Sequence, residues 1–222
     1  MPKLERDGEV FILHLEPDDE NRFHPDFLDE VTAVYDEIEA ESGPRALVTV
    51  GSGKFWSNGL DLEWVGAHGD QTNAYLERVQ AMLARTLASP VVTVAAVNGH
   101  AFAAGAMWSL AHDFRVMRAD RGYFCLPEVD MGLAFIPGMN DLLLARLAPH
   151  IAHEAMTTGR RYGGEQALAA HIVDAVAAED EVLAKAVELA RPLAVKATDT
   201  RARIKETMYT TALASLRATV QY

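Results

Sequence analysis

The chain has 222 residues, half of them apolar and 23% charged. That is enough to bury one sizeable core, too short for two large domains, and unlike the composition of a disordered chain. A balance of 32 acidic to 20 basic residues gives a net charge of −12 with no basic run, which argues against a nucleic-acid partner.

A single cysteine, Cys125, excludes an internal disulfide framework and any multi-cysteine metal site. No stretch reaches the ~18 consecutive apolar residues of a membrane span. The N-terminal MPKLERDGEV is charged where a secretory signal has its apolar segment. One cytoplasmic globular domain over 1–222 is expected, with no membrane partner.

Glu9 to Leu15 is a β-prone run ending in the turn-rich Pro17-Asp18-Asp19. From Pro25 to Ala40, Phe27, Leu28, Val31, Val34 and Ile38 recur at helical spacing, and Gly43-Pro44 stops the pattern. Ala46 to Val50 reads as a strand, and roughly Thr72 to Leu87 as a helix. Beyond Pro90, the run Val91 to Val97 is apolar and β-branched throughout, as a strand buried on both faces should be. A small-residue turn then leads into a helix reaching about Ala111, followed by a short strand over Asp113 to Met117. The last hundred residues are Ala-rich, with helical patterns near 138–147, 151–157, 165–170, 180–195 and 200–217. One strand-like piece, Ile172 to Val176, interrupts them. Alternating strands and helices imply an α/β class with a helical C-terminal region.

Two glycine-containing turns, Lys54 to Leu62 and Asn98 to Ala106, each follow a strand and precede a helix. Such turns leave backbone N–H groups unpaired at a helix start. Two that converge can hold one oxygen between two donors, although either alone is more simply an ordinary tight connection. Neither matches a dinucleotide or P-loop pattern. A third segment, Leu126 to Leu133, sets Glu128 after Pro127 among apolar neighbours, where a carboxyl can have a raised pKa and shuttle a proton, or can be a solvated loop group.

In this order the three segments resemble the crotonase, or enoyl-CoA hydratase/isomerase, superfamily over nearly the whole chain. Trp56-Ser57-Asn58-Gly59-Leu60-Asp61 is similar to its first oxyanion segment, and Asn98 to Asp113 to its second. Pro127-Glu128 with Gly132 and Pro137-Gly138 resembles its Pro-Glu stretch. Thr158-Gly159-Arg160, Glu165-Gln166-Ala167 and Ile172-Val173-Asp174 resemble its later pattern. The resemblance implies a spiral of ββα units over about 1–178, closed by C-terminal helices over about 179–222.

It also implies oxyanion donors at the amides of Leu60 and Ala104, with Glu128 as acid/base. Ser57, Asn58, Gly59, Asp61, Leu62, Phe102, Gly105, Met107 and Phe135 become candidates for contact with an acyl-CoA thioester. Family hydratases carry a second glutamate at the position of Met107; shifting a double bond from C3 to C2 requires one base only. Phe23-His24-Pro25, Ser57-Asn58-Gly59, Asn98-Gly99-His100 and Glu128 to Leu133 further resemble the Δ3,Δ2-enoyl-CoA isomerase branch. The implied function is a 3-enoyl-CoA isomerase of the fatty-acid β-oxidation type, with no metal or redox cofactor, assembled as a homotrimer or a dimer of trimers. The alternatives are hydration, thioester hydrolysis, decarboxylation, or a non-catalytic acyl-CoA-binding scaffold.

Other polar residues have simpler readings. His100 reads as part of a turn, Asp61 and Asp113 as caps, and Asp130 as facing away from Glu128 if the segment is extended. His150 and His153 read as a solvated face without a third metal ligand. Cys125 reads as a small core residue. Trp56, Trp64 and Trp108 read as core or acyl-pocket residues. Lys54, Arg78 and Lys205 are candidates for the CoA phosphates.

Overall fold

The computed structural model describes residues 2–15 and 20–221, so the Pro17-Asp18-Asp19 turn lies outside the described residues. The chain begins with an antiparallel hairpin, β1 (Lys3–Asp7) and β2 (Val10–Leu15). There follow α1 (Pro25–Ala40), β3 (Ala46–Gly51), β4 (Phe55–Ser57), α2 (Leu62–Ala67) and α3 (Thr72–Ala88). Next come β5 (Val92–Val97), β6 (His100–Phe102), α4 (Ala104–Ala111), β7 (Phe114–Arg118), β8 (Phe124–Cys125) and the single-turn α5 (Glu128–Met131). The remainder is α6 (Pro137–Arg146), α7 (Pro149–Thr158), α8 (Gly164–Ala169), β9 (Ala175–Ala177), α9 (Val182–Ala190), α10 (Asp199–Met208) and α11 (Thr210–Leu216).

The strands sort into two sheets, one ordered β1-β2-β3-β5-β7-β9 and parallel from β2 onward, the other ordered β4-β6-β8. Three times in succession the chain passes through the large sheet, then the small sheet, then a helix. That is a spiral of ββα units, and it stacks the strand-to-helix turns after β4, β6 and β8 at one end of the molecule. One face of the large sheet, with Val10, Val48, Val94 and Val116, is covered by Val182, Ala186 and Ala190 of α9. The other carries the main core, where Trp56 and Trp108 are fully buried. Both faces are covered, so β5 is buried at every position. No helix among the described residues is long and apolar enough to cross a membrane.

The structure departs from the sequence reading at several places. Ile172 to Asp174 is a turn, not the start of a strand. The Ile172 and Val173 N–H groups turn back to the Ala167 carbonyl (2.8 and 3.3 Å) and buried Arg115 donates from Nε to the Ile172 carbonyl (2.7 Å), so bonding to β7 begins only with the Asp174 N–H on the Arg115 carbonyl (2.9 Å). The 180–195 helix ends at Ala190 and continues as a 3₁₀ turn over Arg191–Lys196, because Pro192 has no N–H to continue the α pattern. The 200–217 pattern is two helices broken at Tyr209.

Lys205 was a candidate for CoA phosphates, but it is buried in an ion cluster. Asp113 receives its ammonium at 2.8 Å, the Arg201 guanidinium, and the Thr93 N–H at 2.8 Å. Burial alone would raise the Asp113 pKa, but Lys205 and Arg201 outweigh it and hold the carboxyl below its ordinary value. The cluster fastens α10 to Thr93 of β5 and to Asp113, the residue before β7, and neither Lys205 nor Arg201 lines the cavity described below.

Candidate active site

The first turn is shaped by a strap of residues 20–23 beside it. Asn58 N–H donates to the Glu20 carbonyl (2.8 Å), Phe23 N–H to the Gly59 carbonyl (2.8 Å), and Ser57 Oγ to the Asn21 carbonyl (2.8 Å). A trans peptide sets its C=O and N–H on opposite sides. Anchoring the Gly59 carbonyl on Phe23 therefore aims the Leu60 N–H the other way, toward the second turn.

At that turn the Ala103 carbonyl accepts from Met107 N–H (3.1 Å), the first bond of α4, so the Ala104 N–H projects from the helix start. Neither the Leu60 nor the Ala104 amide donates to another described residue. Two glycines permit the approach. A Cβ on Gly59 would sit 2.8 Å from the Ala104 nitrogen, and one on Gly105 would sit 2.4 Å from the Ser57 carbonyl oxygen. Ala103 has φ 49° and ψ −126°, a backbone state that costs on the order of 1–3 kcal/mol for a residue with a side chain. The same conformation turns the Ala104 amide outward.

Glu128 stands at the first position of α5, after Pro127, and is 8% exposed. Its Oε2 is buried without a hydrogen-bond partner. Burial pushes its carboxyl up to about 7, against a slight opposing pull from its own backbone N–H. Together with the two amides it faces a cavity of about 540 Å³, whose walls are mostly apolar.

Of the residues singled out in the sequence, Leu60, Ala104, Glu128, Asn58, Leu62, Phe102, Met107 and Phe135 line this cavity. Ser57, Gly59, Asp61 and Gly105 do not. Ser57 and the two glycines lie behind the wall, where they set the turns. Asp61 caps α2 through a bond from Trp64 N–H (3.0 Å). The segment around Asp130 is helical, not extended as the sequence reading supposed. Two residues on is roughly 200° around a helix, so Asp130 still turns away from Glu128; it is exposed and lies against Gly159.

His100 lies outside the cavity in an aromatic layer on the small sheet, with its ring centroid 5.1 Å from Phe55, 5.0 Å from Phe102 and 5.5 Å from Tyr123. Burial lowers its pKa first, and the neighbouring Lys54, Arg121 and Arg161 lower it further. His150 and His153 are exposed, and among the described residues no group of three His, Cys, Asp or Glu is placed to hold a metal. Arg78 pairs with Asp29 at 2.6 Å, whereas Lys54 extends over the Phe55 ring near the His100 layer. Arg161, on the cavity wall and above Phe102, went unnoticed in the sequence because an isolated arginine in a loop carries no pattern. Leu76 and Met139, which the sequence places only within helices, and Ile136, which carries no pattern of its own, also line the cavity.

Two backbone amides that donate to no described residue and a buried carboxyl, all on the wall of one largely apolar cavity, define a class of α/β protein. Such a site can hold the oxygen of a carbonyl while a proton moves on a neighbouring carbon. The profile described as enoyl-CoA hydratase/isomerase matches residues 6–221, and the chain belongs to that family, within the crotonase superfamily. It is 37% identical over 204 residues to enoyl-CoA delta isomerase 3 of Arabidopsis thaliana, covering 88% of this chain and 86% of that one. It is 35% identical over 221 residues to the same plant's peroxisomal enoyl-CoA delta isomerase 2, covering 94% and 92%. The fold superposes on human mitochondrial delta3-delta2-enoyl-CoA isomerase with a TM-score of 0.88 at 24% identity, over 96% of this chain and 84% of that one.

Proposed function

We propose that this protein is an enoyl-CoA isomerase that moves a double bond of a 3-enoyl-CoA to the 2-position. The thioester carbonyl lies between the amides of Leu60 and Ala104. Glu128 takes a proton from C2, the electron pair spreads over C2, C4 and the thioester oxygen, and the acid form of Glu128 returns the proton to C4. One proton leaves C2 and one is delivered to C4, so the step balances with no redox or metal chemistry.

The observation that carries this reading is the lone carboxyl. Glu128 is the cavity's one carboxylate among the described lining residues, and Met107, which is 1% exposed, occupies the place where the family's hydratases have their second acid. A pKa of about 7 gives Glu128 comparable amounts of base and acid at neutral pH, as a group that both takes and returns a proton needs. The relatives named as delta isomerases support the same reaction. Lys54, Arg121 and Arg161, gathered around His100 beside the cavity, take the CoA phosphates in this reading.

The test follows a 3-enoyl-CoA and a 2-enoyl-CoA separately. Isomerisation is expected to exceed hydration by at least ~10²-fold, the lower range of one lost acid–base group, and KM is expected to rise with salt. Efficient hydration, or binding with no turnover of either substrate, overturns the assignment. We also propose a homotrimer or a dimer of trimers. Support comes from the family and from the exposed apolar side chains of Val195, Ile204 and Met208 in the C-terminal region, which a partner subunit would cover. Light scattering at micromolar concentration is expected to give at least three times the chain mass, and a monomer mass refutes the assembly.

A further inference from the structure

We infer that Tyr75 is a positioning residue that holds the Leu60 donor in line, a role that rests on the isomerase reading above. The peptide before Leu60 is fixed by the bond from Phe23 N–H to the Gly59 carbonyl (2.8 Å). The peptide after it is held at its carbonyl by the Leu62 N–H (3.1 Å) and at its N–H by a side chain from another element. The Asp61 N–H donates to the Tyr75 hydroxyl at 3.0 Å. Peptide units are rigid planes, so holding both planes that flank Leu60 holds its φ and ψ, and with them the direction of its N–H.

The hydroxyl is itself well fixed. Tyr75 is 2% exposed in α3, between Thr72 and Leu76, both of which line the cavity. Its ring lies 5.2 Å from that of Trp64, and Trp64 N–H is bound by the Asp61 carboxylate at 3.0 Å. The contacts close a loop: the Asp61 amide to Tyr75, the Tyr75 ring to Trp64, and the Trp64 amide back to Asp61. Burial pushes the Tyr75 pKa above its ordinary value, so the group is a neutral phenol that accepts a bond here and takes no part in proton transfer. Hydrogen bonds weaken steeply as their angle closes. Releasing the Asp61 amide lets Leu60 rock and turns its N–H off the carbonyl oxygen.

Tyr75→Phe removes the acceptor and keeps the ring that packs on Trp64. Tyr35→Phe is the matched control, because Tyr35 is also buried and bonded (to Thr86, 2.9 Å) but does not reach the cavity turns. Two readouts are taken on wild type and both variants: kcat for a 3-enoyl-CoA, and the absorption shift of a bound 2,4-dienoyl-CoA, whose carbonyl the two amides polarise. In Tyr75→Phe, kcat is expected to fall by ~10-fold, a fraction of the ~10²–10³-fold that loss of a whole donor costs. The dienoyl-CoA shift should shrink while its Kd stays within about twofold, and Tyr35→Phe should leave kcat and the shift unchanged. A Tyr75→Phe enzyme with wild-type kcat and wild-type shift overturns the role of Tyr75 and leaves the isomerase reading standing. Equal loss of kcat in Tyr35→Phe, with no change of shift in either variant, also overturns it, since the effect is then general loosening. A wild-type protein that gives neither turnover nor shift overturns the isomerase reading itself.

Discussion

In Glu128→Gln, turnover of a 3-enoyl-CoA is expected to fall by ~10²–10⁴-fold, the cost of losing a general base. Acyl-CoA affinity should hold, because the donors to the carbonyl are backbone amides in other segments. Exchange of the C2 proton with deuterated solvent should vanish along with turnover, since both use one abstraction step. The same substitution should stabilise the fold. A carboxyl held at about 7 in the native state, against an ordinary 4.5, binds a proton there that the unfolded chain has released. Its burial is therefore least costly below about pH 4.5, and stability is lost as pH rises toward 7. Above that, the native state carries a buried charge with no counter-ion, costing about 3 kcal/mol, the free-energy equivalent of the gap between 4.5 and about 7. Glutamine carries no such charge. Urea unfolding of the two proteins should diverge between about pH 5 and pH 8 and converge below pH 4.5. In the wild type, kcat/KM should rise with pH to a plateau, with its midpoint near 7. Near-normal turnover by Glu128→Gln with binding intact would remove Glu128 as the base.

Asp113→Asn should be the most damaging single change for stability outside the cavity. It keeps the side-chain shape and leaves Lys205, 7% exposed, and Arg201, 17% exposed, without a counter-charge. Removing one partner of a buried pair costs about 3–5 kcal/mol, because the stranded charge keeps its desolvation penalty. Chemical denaturation should show that loss, with kcat per folded molecule close to wild type. Adding Lys205→Met should recover part of the stability, since it removes one stranded ammonium and fills the space with apolar volume. Recovery fails if the cluster is only a surface ion pair, and then Asp113→Asn itself moves stability by ~1 kcal/mol or less. The Asp113 carboxyl titrates below its ordinary value, so its contribution is complete above about pH 4 and is lost as pH falls through the native pKa.

The elements that could be read in the sequence are those whose local pattern matches their burial. The α1 stripe of Phe27, Leu28, Val31 and Ile38 is buried as its spacing requires, and β3 and β5 are apolar because both faces are covered. Illegible elements lack such a pattern. KLERD forms β1 with four of its five residues exposed, so its pairing with β2 leaves no hydrophobic trace. The small sheet consists of strands two or three residues long, too short for any periodicity, and α5 is a single turn. Ile172 and Val173 are apolar because they are buried, but their N–H groups bond the Ala167 carbonyl and the Ile172 carbonyl bonds Arg115, not a strand.

The residue types of the site were present in the sequence: small residues at two strand-to-helix turns, a carboxyl after a proline, and a methionine in place of a second acid. Those identities determined which chemistry the chain could support. Where the groups stand depends on contacts between segments distant in the chain. The Leu60 amide is aimed by Phe23 and Tyr75, the turns meet because Gly59 and Gly105 have no Cβ, and Glu128 is raised to about 7 by apolar neighbours from several elements. Local sequence encodes backbone preference and hydrophobic spacing. Donor direction and desolvation depend on packing across the whole fold, so only the tertiary structure decided that Lys205 is a buried tie, that Arg161 stands at the cavity wall, and that Oε2 of Glu128 is buried without a partner.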